Sequence, residues 1–282
     1  MSRKRIIEKE NFFLVEERKG SGPLIIQSSG YTSDERAIKE PWILTQFRTI
    51  PHSDRSHLPD PVIFKHNNLL PYRYLDCNVW TLYFRPECQG LENALEEFSR
   101  YYVTLTEKPI LLGYSKGGLF FGSLTECLED LKIALIAPTV KTITGDEEEM
   151  LRRLNNKAQN ARIKEKLIIA LVKKVVKIIG SRRPIDKDMS MGSEFIKKHT
   201  FKNLANNHSL LIIGRGSQES WIDKMCYKFG QLLELPKDSD GMTEIPEIQA
   251  QDMVVVSATH MTIMEDPATD LKLFKFVWDF TK

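Results

Sequence analysis

Short apolar segments recur along the chain at Phe12–Val15, Leu24–Ile26, Val79–Phe84, Ile110–Leu112, Ile133–Ala137, Leu210–Ile213 and Met253–Val256, with helical or loop material between most of them. This alternation predicts α/β architecture: a mostly parallel central sheet covered by helices on both faces. Several of the runs, LLIIG and MVVVS among them, are continuously apolar and do not alternate with polar residues. Such runs are expected of central strands buried on both sides, and Ile110–Leu112 belongs to this set.

The pattern changes between Thr139 and Asn207. An acidic start, GDEEEM, leads into a long stretch of helical periodicity that ends at Gly180 and is followed by Pro184, both plausible stop signals. On a helix, Lys166, Lys173 and Lys177 share one face, while Ile168, Leu171, Val172, Val175 and Ile179 form a broad stripe opposite. The chain therefore divides into a core of residues 1–138 and 208–282 and a helical insertion of residues 139–207. His52 to Pro71 and Pro236 to Gln251 read as long irregular loops, where function often sits in a compact domain.

Composition adds bounds. The 282 residues are 41% hydrophobic and 28% charged, ordinary for one large α/β domain. The segment MSRKRIIEKENFFLVEE interrupts its apolar residues with charges, and no apolar run is long enough to span a bilayer, so a cytoplasmic protein is expected. Cys77, Cys88, Cys127 and Cys226 are scattered without a CxxC pair, which argues against a zinc site or a disulfide framework. The net charge of +2 hides segregation: Met150 to Arg183 carries eleven Lys or Arg against one acid, Glu165, so the rest of the chain is net acidic. A basic helix of this kind is read as a cap over a site, as a membrane-surface or nucleic-acid contact, or as a solvated face.

The chemistry centres on PILLGYSKGGLFF, residues 109–121, where an apolar strand runs through Gly113-Tyr114-Ser115-Lys116-Gly117-Gly118 into a helix-like stretch. Glycines on both sides let a sharp strand-to-helix turn form, and the helix start directs backbone N–H groups toward the place where an oxyanion would develop. A serine hydroxyl needs a base within hydrogen-bond reach, itself oriented by a carboxylate. His260, just beyond the strand Met253–Val256, is the best base; His52, His57 and His66 lie in the Pro-rich loop, and His199 and His208 precede the strand Leu210–Ile213. Asp240, followed by Gly241 in a turn that can hold a carboxylate rigidly, is the preferred acid, with Glu219 and Asp238 as alternatives. The N–H of Lys116 supplies one oxyanion donor and that of Tyr31, in the loop after PLIIQ, a second. The cluster His52, Asp54, His57, Asp60 and His66 matches no metal-ligand spacing and reads as a solvated loop, so no metal site is expected.

In order along the chain, SSGYT after an early strand, GYSKGG, SDGMTEIPEI and ATHMTIMEDP resemble landmarks of the α/β-hydrolase superfamily, with the lipase and esterase branch closest. DMSMGSEFIKKHTF is similar to the DLxPGSxFL segment of some lipases. Three positions depart from the pattern: Ser29 and Tyr114 stand where those lipases commonly carry histidine, and Ser239 replaces a glycine. The family position for the acid directly after SLLIIGRG, near Ser217, holds no aspartate. The resemblance implies a serine hydrolase acting on a small-molecule or lipid-like acyl substrate, with carboxylic esters first. Thioesters or amides, or a non-catalytic binding protein of the same fold, are the alternatives. Because lids in this fold follow the strand after the nucleophile helix, here Ile133–Ala137, the resemblance assigns the insertion to a cap. Its basic outer face would suit anionic substrates or a lipid surface, no nucleic acid is expected, and no cofactor is implied.

Overall fold

A computed structural model describes residues 4–28, 75–85, 87–140, 147–179, 184–189, 193–216, 224, 228, 230–232, 239–240, 247–260 and 262–281. Its strands are β1 (Lys4–Glu8), β2 (Phe12–Arg18), β3 (Gly22–Ser28), β4 (Cys77–Phe84), β5 (Ile110–Tyr114), β6 (Lys132–Ile136), β7 (His208–Gly214) and β8 (Asp252–Val256). They form one eight-stranded sheet in the order β1-β2-β4-β3-β5-β6-β7-β8. β1–β2 and β2–β4 pair antiparallel, and every later neighbour pair is parallel. Among the described residues, the α-helices with both ends placed are α1 (Leu91–Thr104), α2 (Lys116–Leu124), α3 (Glu147–Gln159), α4 (Ile163–Ile179), α5 (Pro184–Lys187), α6 (Glu194–Lys198) and α7 (Pro267–Trp278).

The continuous apolar runs have the predicted cause in the middle of the sheet. Successive residues of a strand point to opposite faces, so Ile26, Leu111, Ile133, Leu135, Leu211 and Ile213 pack with α1 and α2 on one side. Ile25, Ile110, Leu112, Ala134, Ile136, Leu210 and Ile212 pack with Leu273 and Val277 of α7 on the other. With both faces covered, neither set of positions can be polar.

Two expectations need correction, and one strand was not expected. MVVVS is not a doubly buried central strand: β8 is the last strand of the sheet, and Met253 and Val255 are 51% and 45% exposed. Apolar composition suits either position, and sheet order alone decides it. β6 stops at Ile136; Ala137 leaves the strand at φ 41°, and its N–H donates to the Ile212 carbonyl. β1 went unread because Lys4, Arg5 and Glu8 break its short apolar pattern, which a strand on the other edge of the sheet tolerates.

Between β6 and β7 the basic stretch forms two helices. At the break, the Glu165 carboxylate reaches back to accept from the Arg162 N–H at 2.9 Å and caps α4. The buried contact of α4 runs through Ile169, 1% exposed, against Met150 and Leu154 of α3, with Val172 partly buried beside it. Ile168, one residue of the apolar stripe, is 45% exposed, because the face that meets α3 is centred one residue later, on Ile169. The side chains of Leu171, Val175, Lys177 and Ile179 lie outside the described ones. Further on, Asp188 accepts from the Leu91 N–H at 2.6 Å and so caps α1, while Ser193 donates to the Asp188 carbonyl and caps α6. Phe201, at φ 57°, then fills the space over α2 left by Gly122, where an added Cβ would meet the phenyl ring at 2.5 Å.

Candidate active site

β5 delivers Ser115 and α2 begins at the next residue, so Ser115 stands at the helix N-cap with φ 55° and ψ −118°. A non-glycine residue in this region is strained by about 1–3 kcal/mol, which the surrounding structure must impose. The Ser115 N–H donates to the Ile136 carbonyl at 3.0 Å, and its own carbonyl accepts from the Leu119 N–H at 3.0 Å. Close packing leaves the chain little alternative: a Cβ on Gly117 would run into the Ser28 carbonyl, and one on Gly113 would lie 2.5 Å from the Gly117 carbonyl. The requirement for glycines at 113 and 117 is thus the close approach of three backbone segments.

The other two side chains come from the segment after β8, which carries His260, and from Asp240, which lies beside the end of β7. His260 Nε2 lies 2.9 Å from Ser115 Oγ, and His260 Nδ1 lies 2.7 Å from Asp240 Oδ2. Ser115, His260 and Asp240 are 7%, 4% and 2% exposed. A carboxylate can only accept, so the Nδ1 proton faces Asp240, and in the neutral imidazole this leaves the lone pair of Nε2 facing the serine hydroxyl. Of the sequence candidates, the structure therefore brings Ser115, His260 and Asp240 together. Lys116 is the first residue of α2, so its amide belongs to the first turn, whose N–H groups point out of the helix end. Tyr31, Glu219 and Asp238 lie outside the described residues, as do His52, Asp54, His57, Asp60 and His66.

Main-chain contacts hold the arrangement. The His260 N–H donates to the Asp240 carbonyl at 2.8 Å, and the Arg215 N–H donates to the Val256 carbonyl at 2.8 Å. Gly214 ends β7 where a Cβ would lie 2.5 Å from the Ala258 carbonyl and 3.2 Å from the Asp240 Cβ, so the missing side chain lets the Asp240 and His260 segments converge. Tyr114 also touches the set: its hydroxyl donates to the His260 carbonyl at 2.5 Å, and its ring centroid is 5.4 Å from that of the imidazole. In the sequence Tyr114 is visible only as a departure from a motif, and Gly214 only as the end of an apolar run. The signal available for Tyr114 was a polar-tipped aromatic at the inner end of a buried strand.

Beneath α7, Asp266 accepts from the Ala268 and Thr269 N–H groups and Pro267 opens the helix, so the EDP sequence after His260 is a helix start. Among the described residues, no group of three His, Cys, Asp or Glu side chains is arranged to hold a metal ion. Cys77 and Cys88 are buried, and burial pushes both thiols up from their ordinary pKa. No helix among the described residues is long and apolar enough to cross a membrane.

The chain matches no protein-family model and no curated protein. Among solved structures it is similar to the mature lipase of Bacillus licheniformis, with a TM-score of 0.52 and 13% identity, over 96% of this chain and 98% of that one. An esterase from Thermogutta terrifontis with malate bound aligns at a TM-score of 0.47 and 14% identity, over 100% of each chain. A thioesterase domain from the curacin biosynthetic pathway aligns at 0.46 and 12%, over 98% of this chain and 99% of that one. At these identities the likeness is one of fold, and the fold is the α/β-hydrolase fold.

Proposed function

We propose that this protein is a serine hydrolase that cleaves carboxylic esters through an acyl-enzyme on Ser115. The observation that carries the reading is the continuous hydrogen-bonded path from Ser115 Oγ through His260 to Asp240, at 2.9 and 2.7 Å, among three buried side chains at a helix N-terminus. In the first half-reaction Ser115 Oγ bonds to the acyl carbon while its proton passes to His260 Nε2. The carbonyl electrons move onto oxygen, where the main-chain N–H groups of Lys116 and Tyr31 would hold the developing charge. As the intermediate collapses, the bond to the leaving alcohol breaks and His260 returns the proton to that oxygen. Water then repeats both steps, releasing the acid and restoring Ser115. Asp240 keeps the imidazole in the required tautomer and stabilises the imidazolium formed in each half.

In this reading residues 139–207 act as a cap, and the α3–α4 pair would limit access of water to the acyl group. The exposed apolar side chains Ile163 and Leu167, beside the exposed Arg162 and Lys166, support contact between this cap and an anionic lipid surface. A fluorophosphonate probe tests the central claim. Wild-type protein is expected to label and to hydrolyse a panel of p-nitrophenyl esters, with thioester and amide analogues turned over more slowly. Ser115→Ala should abolish labelling. Equal labelling of the two proteins would overturn the reading.

A further inference from the structure

We infer that Tyr114 is the positioning residue for His260, a role that rests on the hydrolytic use of Ser115 and His260 proposed above. Tyr114 ends β5 and directly precedes Ser115. Its hydroxyl donates to the His260 carbonyl at 2.5 Å, and its ring lies against the imidazole with a centroid separation of 5.4 Å and a tilt of 30°. From the other side, the His260 N–H donates to the Asp240 carbonyl at 2.8 Å. Both main-chain polar groups of His260 are therefore engaged, one by the neighbour of the nucleophile and one by the residue that faces Nδ1.

The need for such a tether follows from where His260 sits. β8 ends at Val256, so no sheet ladder fixes the backbone at residue 260. Tyr114, in contrast, is held in register opposite Ile136 of β6 in the interior of the sheet. Its phenol transfers that rigidity to the loop, because the group that fixes the His260 backbone and the serine that His260 must reach are adjacent in the chain. The ring contact restrains rotation of the imidazole itself. Misplacing a reacting group by about 1 Å can cost on the order of 100-fold in rate, so a tether of this kind acts on turnover more than on substrate binding.

Two substitutions separate the hydroxyl from the ring. Tyr114→Phe removes only the donor and is expected to lower kcat about 10-fold; Tyr114→Leu removes the ring as well and should lower it about 100-fold, with KM unchanged within about twofold in both. The Phe variant should keep the wild-type melting temperature to within a few degrees, since the ring still fills its site. A second readout does not depend on turnover. In the Ser115→Ala background, the downfield proton resonance of the His260–Asp240 pair, identified by its loss in His260→Ala, should broaden and exchange faster with solvent when Tyr114 becomes Phe. Wild-type kcat in both variants, or an unaltered resonance, overturns the positioning role. A raised KM with unchanged kcat also overturns it, by assigning Tyr114 to substrate contact. Failure of the fluorophosphonate probe to distinguish Ser115→Ala counts against the proposed hydrolysis and leaves the resonance test of the tether intact.

Discussion

His260 and His199 are both 4% exposed, and each has a carboxylate at Nδ1, Asp240 at 2.7 Å and Glu126 at 3.2 Å. They differ in what faces the second nitrogen. His260 Nε2 meets the Ser115 hydroxyl, whereas His199 Nε2 meets a second carboxylate, Glu92, at 2.8 Å. Carboxylates only accept, so both ring nitrogens of His199 face acceptors, and neither has a group beside it that could pass on a proton. One imidazole turns its second nitrogen to a hydroxyl that can give up a proton; the other bridges two carboxylates. The bridge ties α1 through Glu92 to the turn after α2 through Glu126, and Glu126 also accepts from the Thr200 and Phe201 N–H groups. A buried His-carboxylate pair is therefore not a catalytic signature by itself, and the partner of the other nitrogen decides its use.

The same carboxylate-to-amide change at the two histidines should separate these roles most widely. Asp240→Asn is expected to lower kcat by about 10,000-fold through loss of the correct tautomer, with little change in stability. Turnover of p-nitrophenyl esters beside a thermal melt checks both halves, and an Asp238→Asn or Glu219→Gln protein with the larger loss would reassign the acid.

His199→Ala should show the opposite profile. Leaving Glu92 and Glu126 without their shared donor is expected to lower unfolding free energy by about 2–3 kcal/mol, read from the urea midpoint, while per-molecule labelling of Ser115 stays within about twofold. A large loss of labelling at unchanged stability would put His199 in the active machinery and collapse the contrast.

The smallest effect is a pH dependence. Burial pushes the Glu92 carboxyl up, but hydrogen bonds and charges from Lys198 and His199 outweigh it, and its pKa falls below the ordinary value. Because the folded-state pKa is the lower one, its stabilising contribution is complete above the unfolded carboxylate pKa and is lost as pH falls through the folded value. Unfolding midpoints measured from pH 6 down to pH 3 should therefore fall less steeply for Glu92→Gln than for the wild type. Parallel curves would remove Glu92 from the bridge.

Much of this frame was legible because its causes are local. Residues 110–112, 133–136 and 210–213 are apolar at every position, and burial on both faces leaves no other composition for a strand. Gly113 and Gly117 flank Ser115 because the backbone crossings there admit no side chain. β8 was misread, and the partners of His199 were illegible, for the complementary reason. MVVVS has the composition of a central strand but lies at the sheet edge, and strand order depends on pairing between segments distant in sequence. His199 was set aside as a residue before a strand, and its partners Glu92 and Glu126 lie more than seventy residues away along the chain.

The sequence by itself determined the strand-turn-helix unit around Ser115, the parallel core and the order in which Ser115, Asp240 and His260 occur, since these follow from local periodicity, glycine sterics and chain order. Only the tertiary structure decided which carboxylate met His260, that Tyr114 held its backbone, and that His199 became a bridge. Each of those depends on distances between side chains brought in by separate elements, and a hydrogen bond exists only within about 3.5 Å of its partner.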